Sequence, residues 1–132
     1  MGTTEEIQEY FQMSLDYLQA AQQNMSSKLL EPAMANGIHA LELAMKAAIH
    51  TVLDAPVKTH NIGGLFGKHF RKRVGKEKCR SANLMLTKYN LPRYPGQRPL
   101  EEQEVRSDIA FIDELVQKDI RKLIETAESL SR

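Results

Sequence analysis

The chain has 132 residues, which is enough for one domain with its own hydrophobic core and no disulfide staples, so the sequence predicts a single domain over residues 1–132. Its formal net charge is +1, and its one cysteine, Cys79, has no second thiol or metal-ligand cluster that would give it a redox role. No apolar run approaches the roughly 20 residues of a membrane span, and the N-terminus is acidic where a signal peptide is basic. We therefore expect a cytoplasmic protein that does not contact a membrane.

Helical periodicity runs through almost the whole chain, and no segment alternates apolar and polar residues as a strand does. The first helix is predicted over residues 4–26. Thr3 and Glu6 form a capping-box pattern at its start. Its apolar residues recur at spacings of three and four and share one face, which consists of Ile7, Phe11, Leu15 and Leu18.

A second helix is predicted from Pro32, which suits a first helical turn, to the sequence DAPV. Its many alanines let neighbouring helices approach closely, so we expect it to be the most buried element. Its apolar stripe is Ile38, Leu41, Met45, Ala48 and Val52.

Two shorter helices should follow. The third begins near Thr59 or Asn61, and the glycines of IGGLFG, each costing about 1 kcal/mol relative to alanine, predict that it is short or distorted. The fourth is predicted over residues 76–89. Its inward residues are expected to be Ala82, Leu84, Met85 and Leu86.

The last and longest helix is predicted from about Pro99 to Ser131, after a stretch whose prolines exclude a helix. Glutamates in its first turns complement the helix dipole. The fold class is therefore all-α, an up-and-down bundle of four to five helices with a long C-terminal helix. The stripe of that helix is Val105, Ile109, Ile112, Val116, Ile120, Leu123 and Ala127.

Positive charge is concentrated in the middle of the chain. Residues 1–57 hold two Lys or Arg against seven Asp or Glu, residues 58–98 hold eleven against one, and residues 99–132 hold five against nine. Such an asymmetry concerns partners rather than fold. It fits neutralisation within the chain or across a dimer, a phosphate-bearing ligand, or an acidic protein. We call one cluster of these cations the basic patch: Arg71, Lys72, Arg73, Lys76 and Arg80.

Three motifs, in a common order, point to a family. HALELAMKAAIH in the second helix carries an Ala-x-Glu-x-Ala-x-Lys-Ala core, the THNI turn follows it, and KYNLPRYPG comes further on. Together they resemble the HEPN family (higher eukaryotes and prokaryotes nucleotide-binding) over roughly residues 10–127. The matching residues are Ala40, Glu42, Ala44, Lys46, Ala47, Thr59, His60, Asn61, Ile62, Lys88, Tyr89, Pro92, Arg93, Tyr94 and Pro95.

The resemblance implies a helical bundle that forms a homodimer and is often encoded beside a minimal nucleotidyltransferase, with which it acts as a toxin and antitoxin pair. Many members are metal-independent ribonucleases, with an Arg, four to six residues and then a His near the start of the last helix. This chain lacks that motif, because Arg106 is followed by SDIAFID and no histidine stands at the required spacing. Such a ribonuclease needs a group that moves the 2′-hydroxyl proton, so the departure argues against family-type cleavage.

The candidate nucleotide- and phosphate-binding residues combine cations for phosphate with aromatic faces for bases, partly on a loop held by three prolines. A structural alternative stays open, in which His60 caps a helix, the tyrosines cover the end of the bundle and Arg93 caps the last helix. Glu42 and Lys46, four residues apart, are expected to pair. The candidates are Lys58, His60, Lys88, Tyr89, Arg93, Tyr94 and Arg98.

No metal-ligand cluster or catalytic triad is recognised, so no metal, cofactor or catalytic residue is assigned. The resemblance implies a HEPN-type module that binds RNA or a nucleotide, as a homodimer and with a minimal nucleotidyltransferase as partner. Two alternatives remain: an active ribonuclease that uses His60 and Arg93, and an interaction module whose basic helix meets an acidic protein. Apolar residues beyond one core stripe also favour a dimer, namely Met34, Leu41, Leu43 and Met45.

Overall fold

The computed structural model describes residues 2–54, 61–89 and 99–130. Every regular element over these residues is a helix, so the predicted all-α class is confirmed. The last three elements run on without a break and form the long C-terminal helix. In order, the elements are α1 (Thr4–Ser26), α2 (Leu30–Ile49), α3 (Ile62–Val74), α4 (Lys76–Tyr89), α5 (Glu102–Glu114), a π-helical segment (Leu115–Ile120) and α6 (Arg121–Leu130).

Helix α1 begins and ends where the sequence predicts. The Thr3 hydroxyl accepts a hydrogen bond from the Glu6 amide at 3.1 Å, which satisfies one of the amides that a helix start leaves without a partner. Its apolar stripe faces the core as expected, with Leu15 half-buried and the other three residues buried: Ile7, Phe11 and Leu18.

Helices α1 and α2 pack side by side in antiparallel directions. Near the start of α1, the Tyr10 ring stacks on the His50 ring with centroids 5.4 Å apart. Near its end, the Asn36 amide donates to the Asn24 side-chain oxygen at 2.8 Å. The start of α1 therefore lies against the end of α2, as an up-and-down bundle requires.

Helix α2 is the most enclosed helix, as predicted, with twelve of its 20 residues buried. Its alanines bring neighbours close, and the Ser14 hydroxyl donates to the buried Ala40 carbonyl at 2.7 Å. Val52 lies beyond the end of α2 and is exposed, which corrects its place in the stripe. The additional apolar residues that favoured a dimer are buried within the single chain, so they no longer argue for one: Met34, Leu41, Leu43 and Met45.

Helices α3 and α4 form a hairpin around Gly75, whose φ of 111° lies in the region that disfavours side chains. Helix α3 has 13 residues, against 23 in α1 and 20 in α2, so it is short, as predicted, and it is regular rather than distorted. One glycine serves packing: a Cβ on Gly63 would overlap the Asn83 amide oxygen and lie 3.1 Å from the Asn83 Cα. The absence of a side chain therefore allows α3 to touch α4.

Helix α4 faces the core with three of its four predicted residues, since Ala82 and Leu86 are buried and Met85 packs partly buried against the core. Leu84 was expected to point inward, but its side chain is 59% exposed. Cys79, which the stripe did not include, is buried instead, together with Ala82 and Leu86. These three residues recur at spacings of three and four, so they define the buried face of a regular helix.

The π-helical segment is a feature that the sequence did not predict. Lys78 of α4 lies 3.0 Å from the Asp119 carboxylate and 3.7 Å from that of Glu114. Glu114 and Asp119 are five positions apart in the sequence. Five positions span about 1.4 turns of an α-helix but close to one turn of a helix with i→i+5 hydrogen bonds. The wider winding therefore brings both carboxylates to the side that faces Lys78. The hydrogen bond that Lys78 donates to the Asp119 carboxylate raises the pKa of Lys78, although partial burial opposes the effect.

Gly63→Ala is predicted to destabilise the fold. The new Cβ would push the Asn83 side chain and backbone away, and overpacking of this kind costs about 1–3 kcal/mol, of which the better helix propensity of alanine offsets up to about 1 kcal/mol. The midpoint of urea unfolding should fall accordingly.

Gly67→Ala is the matched control, because among the described atoms its Cβ would meet only the Cys79 Cβ, at an ordinary 3.7 Å. This change should leave stability unaltered or raise it by up to about 1 kcal/mol, since alanine favours helix. Equal loss of stability in both variants would contradict the close approach of α3 and α4 at Gly63.

Cys79 is predicted to react slowly in the folded protein. Its side chain is 5% exposed, and burial, followed by the charge of Asp119, raises the pKa of the thiol. Since the thiolate is the nucleophile, alkylation at about pH 8 should be at least about tenfold slower in the native chain than in the urea-unfolded chain. Equal alkylation rates in the two states would show that the thiol is accessible.

The raised pKa of the Cys79 thiol also predicts that the free energy of unfolding falls as the pH rises above about 8.5, because the thiol of the unfolded chain ionises first.

Candidate nucleic-acid interface

The basic patch lies on the solvent side of the α3–α4 hairpin. Helix α3 buries a residue at every fourth position, from Ile62 through Phe66 and Phe70 to Val74, so its opposite face turns to solvent. Helix α4 buries Cys79, Ala82 and Leu86 in the same manner. All five cations of the patch are exposed as a result.

The acidic segments neutralise only part of the positive charge. Lys78 pairs with Asp119 and Glu114 of the C-terminal helix, and Lys88 pairs with Glu104 of α5. Within the described parts of the chain, no side chain of the basic patch forms an ion pair. Neutralisation within the chain therefore accounts for Lys78 and Lys88 and leaves the basic patch without carboxylate partners there.

Of the predicted nucleotide-binding residues, Lys88 is the one whose side chain the structure describes. It is exposed, in the last turn of α4, and forms its ion pair with Glu104. Tyr89 is the final residue of α4. The structure thus places Lys88 on the same helix as part of the basic patch. The other predicted residues lie outside the described ranges: Lys58, His60, Arg93, Tyr94 and Arg98.

A surface cavity of about 280 Å³ lies between α4 and α5. The exposed Leu84 lies at this cavity, close in sequence to the cations of α4. Neither Ser81 nor Asp108 was a candidate from sequence, because they lie on different helices and no spacing pattern connects them. The described lining residues are Ser81, Leu84, Met85, Lys88 and Asp108.

A second cavity, of about 270 Å³, contains Arg106, the arginine closest to the ribonuclease position of the family. The Arg106 guanidinium is 3.8 Å from the Glu102 carboxylate. Asp113 shares the cavity and stands seven residues after Arg106, where the longest family spacing would place the histidine. None of the positions that the family spacing allows after Arg106 holds a histidine, since they are Phe111, Ile112 and Asp113.

Two polar residues of α2 do not form the expected pair. Glu42 and Lys46 are both half-buried, but within the described residues no ion pair joins them. Glu42 has another interaction in the protein. His50, at the end of α2, is buried with its Nδ1 lacking a hydrogen-bond partner among the described atoms, and its ring is used in the stack on Tyr10.

Within the described ranges, no helix is both long enough and apolar enough to span a bilayer.

Comparison with the curated proteins and with the solved structures returns no significant match. The model of the HEPN domain, by contrast, matches residues 7–131, which is almost the entire chain. With the helical bundle and the order of its motifs, this match shows that the chain belongs to the HEPN domain family.

Proposed function

We propose that this HEPN domain binds RNA or nucleotides through the phosphates, at the basic patch. One observation carries the proposal: five exposed cations stand together on a helical hairpin, and none forms an ion pair within the described parts of the chain. Phosphate groups would supply the missing negative charge, and the release of their counterions would drive association.

The character of the surface favours phosphate over an acidic protein as ligand. Protein interfaces owe much of their energy to apolar and aromatic residues at their centre. The exposed face from Arg71 to Arg80 consists of charged residues, with Val74 and Cys79 buried beneath it. A surface dominated by cations is typical of nucleic-acid interfaces.

The loop that follows α4 in sequence is proposed to extend this surface. Arg93 and Arg98 would add cations, and Tyr94 would offer an aromatic face to a base. These residues, with Lys58 and His60, lie outside the described ranges, so their part in binding stays a prediction from sequence.

We propose binding without family-type cleavage, because the arginine and histidine motif is missing from the sequence. The alternative of an active ribonuclease would use His60 and Arg93 in place of that motif. Intact RNA after long incubation with the protein at high concentration, without metal, would rule that alternative out.

The proposed assembly is a homodimer that acts with a minimal nucleotidyltransferase, as the family resemblance implies. Exposed apolar side chains on α1 support a second copy as one partner: Met13 is 39% exposed and Tyr17, one turn further on, is 36% exposed. Residues four apart on a helix share one face, so they form a continuous apolar strip.

Replacing Arg71 and Lys72 together by alanine is predicted to weaken the binding of single-stranded RNA and to flatten its salt dependence. Each phosphate contact contributes about −0.7 to the slope of log K against log salt, so loss of two contacts should reduce the slope by about 1.4. Fluorescence anisotropy of a labelled oligouridine, measured over a series of salt concentrations, gives this slope.

The matched control replaces Lys118 and Lys122, two exposed cations of the C-terminal helix, by alanine. It removes the same charge and should leave the slope unchanged. Equal slopes in the wild type and the Arg71 and Lys72 variant would contradict phosphate binding at the patch. Salt-sensitive binding to an acidic protein without affinity for RNA would support the interaction module instead.

Light scattering should show the protein at twice the chain mass of 15.0 kDa. Met13→Glu should shift it towards the monomer, because a charge would be buried in the interface, whereas Gln19→Glu, at an exposed site on the same helix, should not. A wild-type monomer at micromolar concentrations would contradict the dimer.

Co-purification with a nucleotidyltransferase encoded by a neighbouring gene tests the second proposed partner.

A further inference from the structure

The cavity between α4 and α5 adjoins the proposed phosphate-binding surface. On α4, residues at every fourth position form one row along the helix, and this row contains Lys76, Arg80, Leu84 and Lys88. Leu84 lines the cavity, and Arg80 precedes it by one turn, which is about 6 Å along the helix. A ligand with its phosphate on Arg80 would therefore place the group about 6 Å from that phosphate at the cavity.

The lining of the cavity suits a flat heterocycle. Leu84 and Met85 supply apolar surface. Leu84 is 59% exposed and is not part of the core, so its side chain is available to a ligand. Ser81, Lys88 and Asp108 add a few polar groups beside that surface. Apolar walls with a few polar groups that fix orientation are typical of small-ligand sites.

Asp108 determines which end of a nucleotide can lie here. An ionised carboxylate only accepts hydrogen bonds and repels phosphate, so it must face a donor edge of a base. Asp108 already has an interaction in the protein, and a carboxylate with about four acceptor positions keeps capacity for a base edge.

Guanine presents the best match to this carboxylate. Its Watson–Crick edge carries two neighbouring donors, N1–H and the N2 amino group, which can meet the two oxygens of one carboxylate. Adenine and cytosine offer one amino group on that edge, and uracil offers one N–H between two carbonyls. Paired charge-assisted hydrogen bonds add both energy and geometric selectivity.

We propose that the cavity formed by Ser81, Leu84, Met85, Lys88 and Asp108 binds a guanine base whose phosphate lies on Arg80. The inference rests on the proposed phosphate binding and adds a base preference to it. It applies equally to a guanine nucleotide and to a guanosine within single-stranded RNA, since both present the same edge.

The test compares two short labelled oligouridines, one with a central guanosine and one with a central adenosine. The wild-type protein should bind the guanosine oligomer at least about fivefold more tightly, the lower end of what one bidentate base contact discriminates. As competitors, GMP should displace the oligomer better than IMP, which lacks the N2 amino group. Displacement by GMP would show that the free nucleotide is also a ligand.

Asp108→Asn should remove the preference for guanosine, whereas the affinity for plain oligouridine should stay the same or rise slightly, because the change also removes a negative charge that repels phosphate. Asp113→Asn is the matched control, because Asp113 lies on the same helix but lines the other cavity, and the preference should survive there. Leu84→Ala removes an exposed side chain without disturbing the core, and it should weaken binding of the guanosine oligomer.

The outcomes separate the two proposals. Equal binding of the guanosine and adenosine oligomers by the wild type, or a guanosine preference that survives Asp108→Asn, overturns the guanine site and leaves phosphate binding standing. Loss of the preference in Asp113→Asn as well overturns it too, since the effect would then not be specific to the cavity. Absence of binding to every oligomer and nucleotide overturns the proposed function and, with it, this inference.

Discussion

The enclosure of α2 is the constraint on which the rest of the structure depends. This helix contacts α1, α3, α4, α5, the π-helical segment and α6, so each of them takes its position from a shared neighbour. Alanines such as Ala40, Ala44 and Ala47 are fully buried, and their small side chains bring the surrounding backbones close. A larger residue at any of these positions would overpack the contact with a neighbouring helix, which costs about 1–3 kcal/mol.

Because α2 fills the centre, the α3–α4 hairpin lies on the outside with one apolar face and one charged face. The C-terminal helix lies beside α4. There Lys78 pairs with Asp119, and Lys88 pairs with Glu104. The cations further round the hairpin lie beyond the reach of those acids. The segregation of charge along the sequence thus becomes a segregation across the surface, which is the physical basis of the proposed phosphate binding.

Local periodicity predicted most of the fold, since the spacing of apolar residues sets a helix and its buried face. It failed where a contact between distant segments decided the outcome. Spacing did not predict that Gly63 lies against Asn83, and the π-helical segment accompanies the contact of Lys78 with two carboxylates. The exposure of the basic patch was predictable from helical spacing. The cavity was not, because packing alone brings Ser81 and Asp108 together from separate helices.

The central claim, that the outer face of the α3–α4 hairpin is the RNA-binding surface, is tested most directly by mapping backbone amide shifts in NMR spectra. A chain of 15.0 kDa is small enough for such spectra, even as a dimer. On titration with single-stranded RNA at low salt, the account predicts the largest shifts at the end of α3 and along α4, with little change in α1. Shifts confined to α1, or none anywhere, would contradict it.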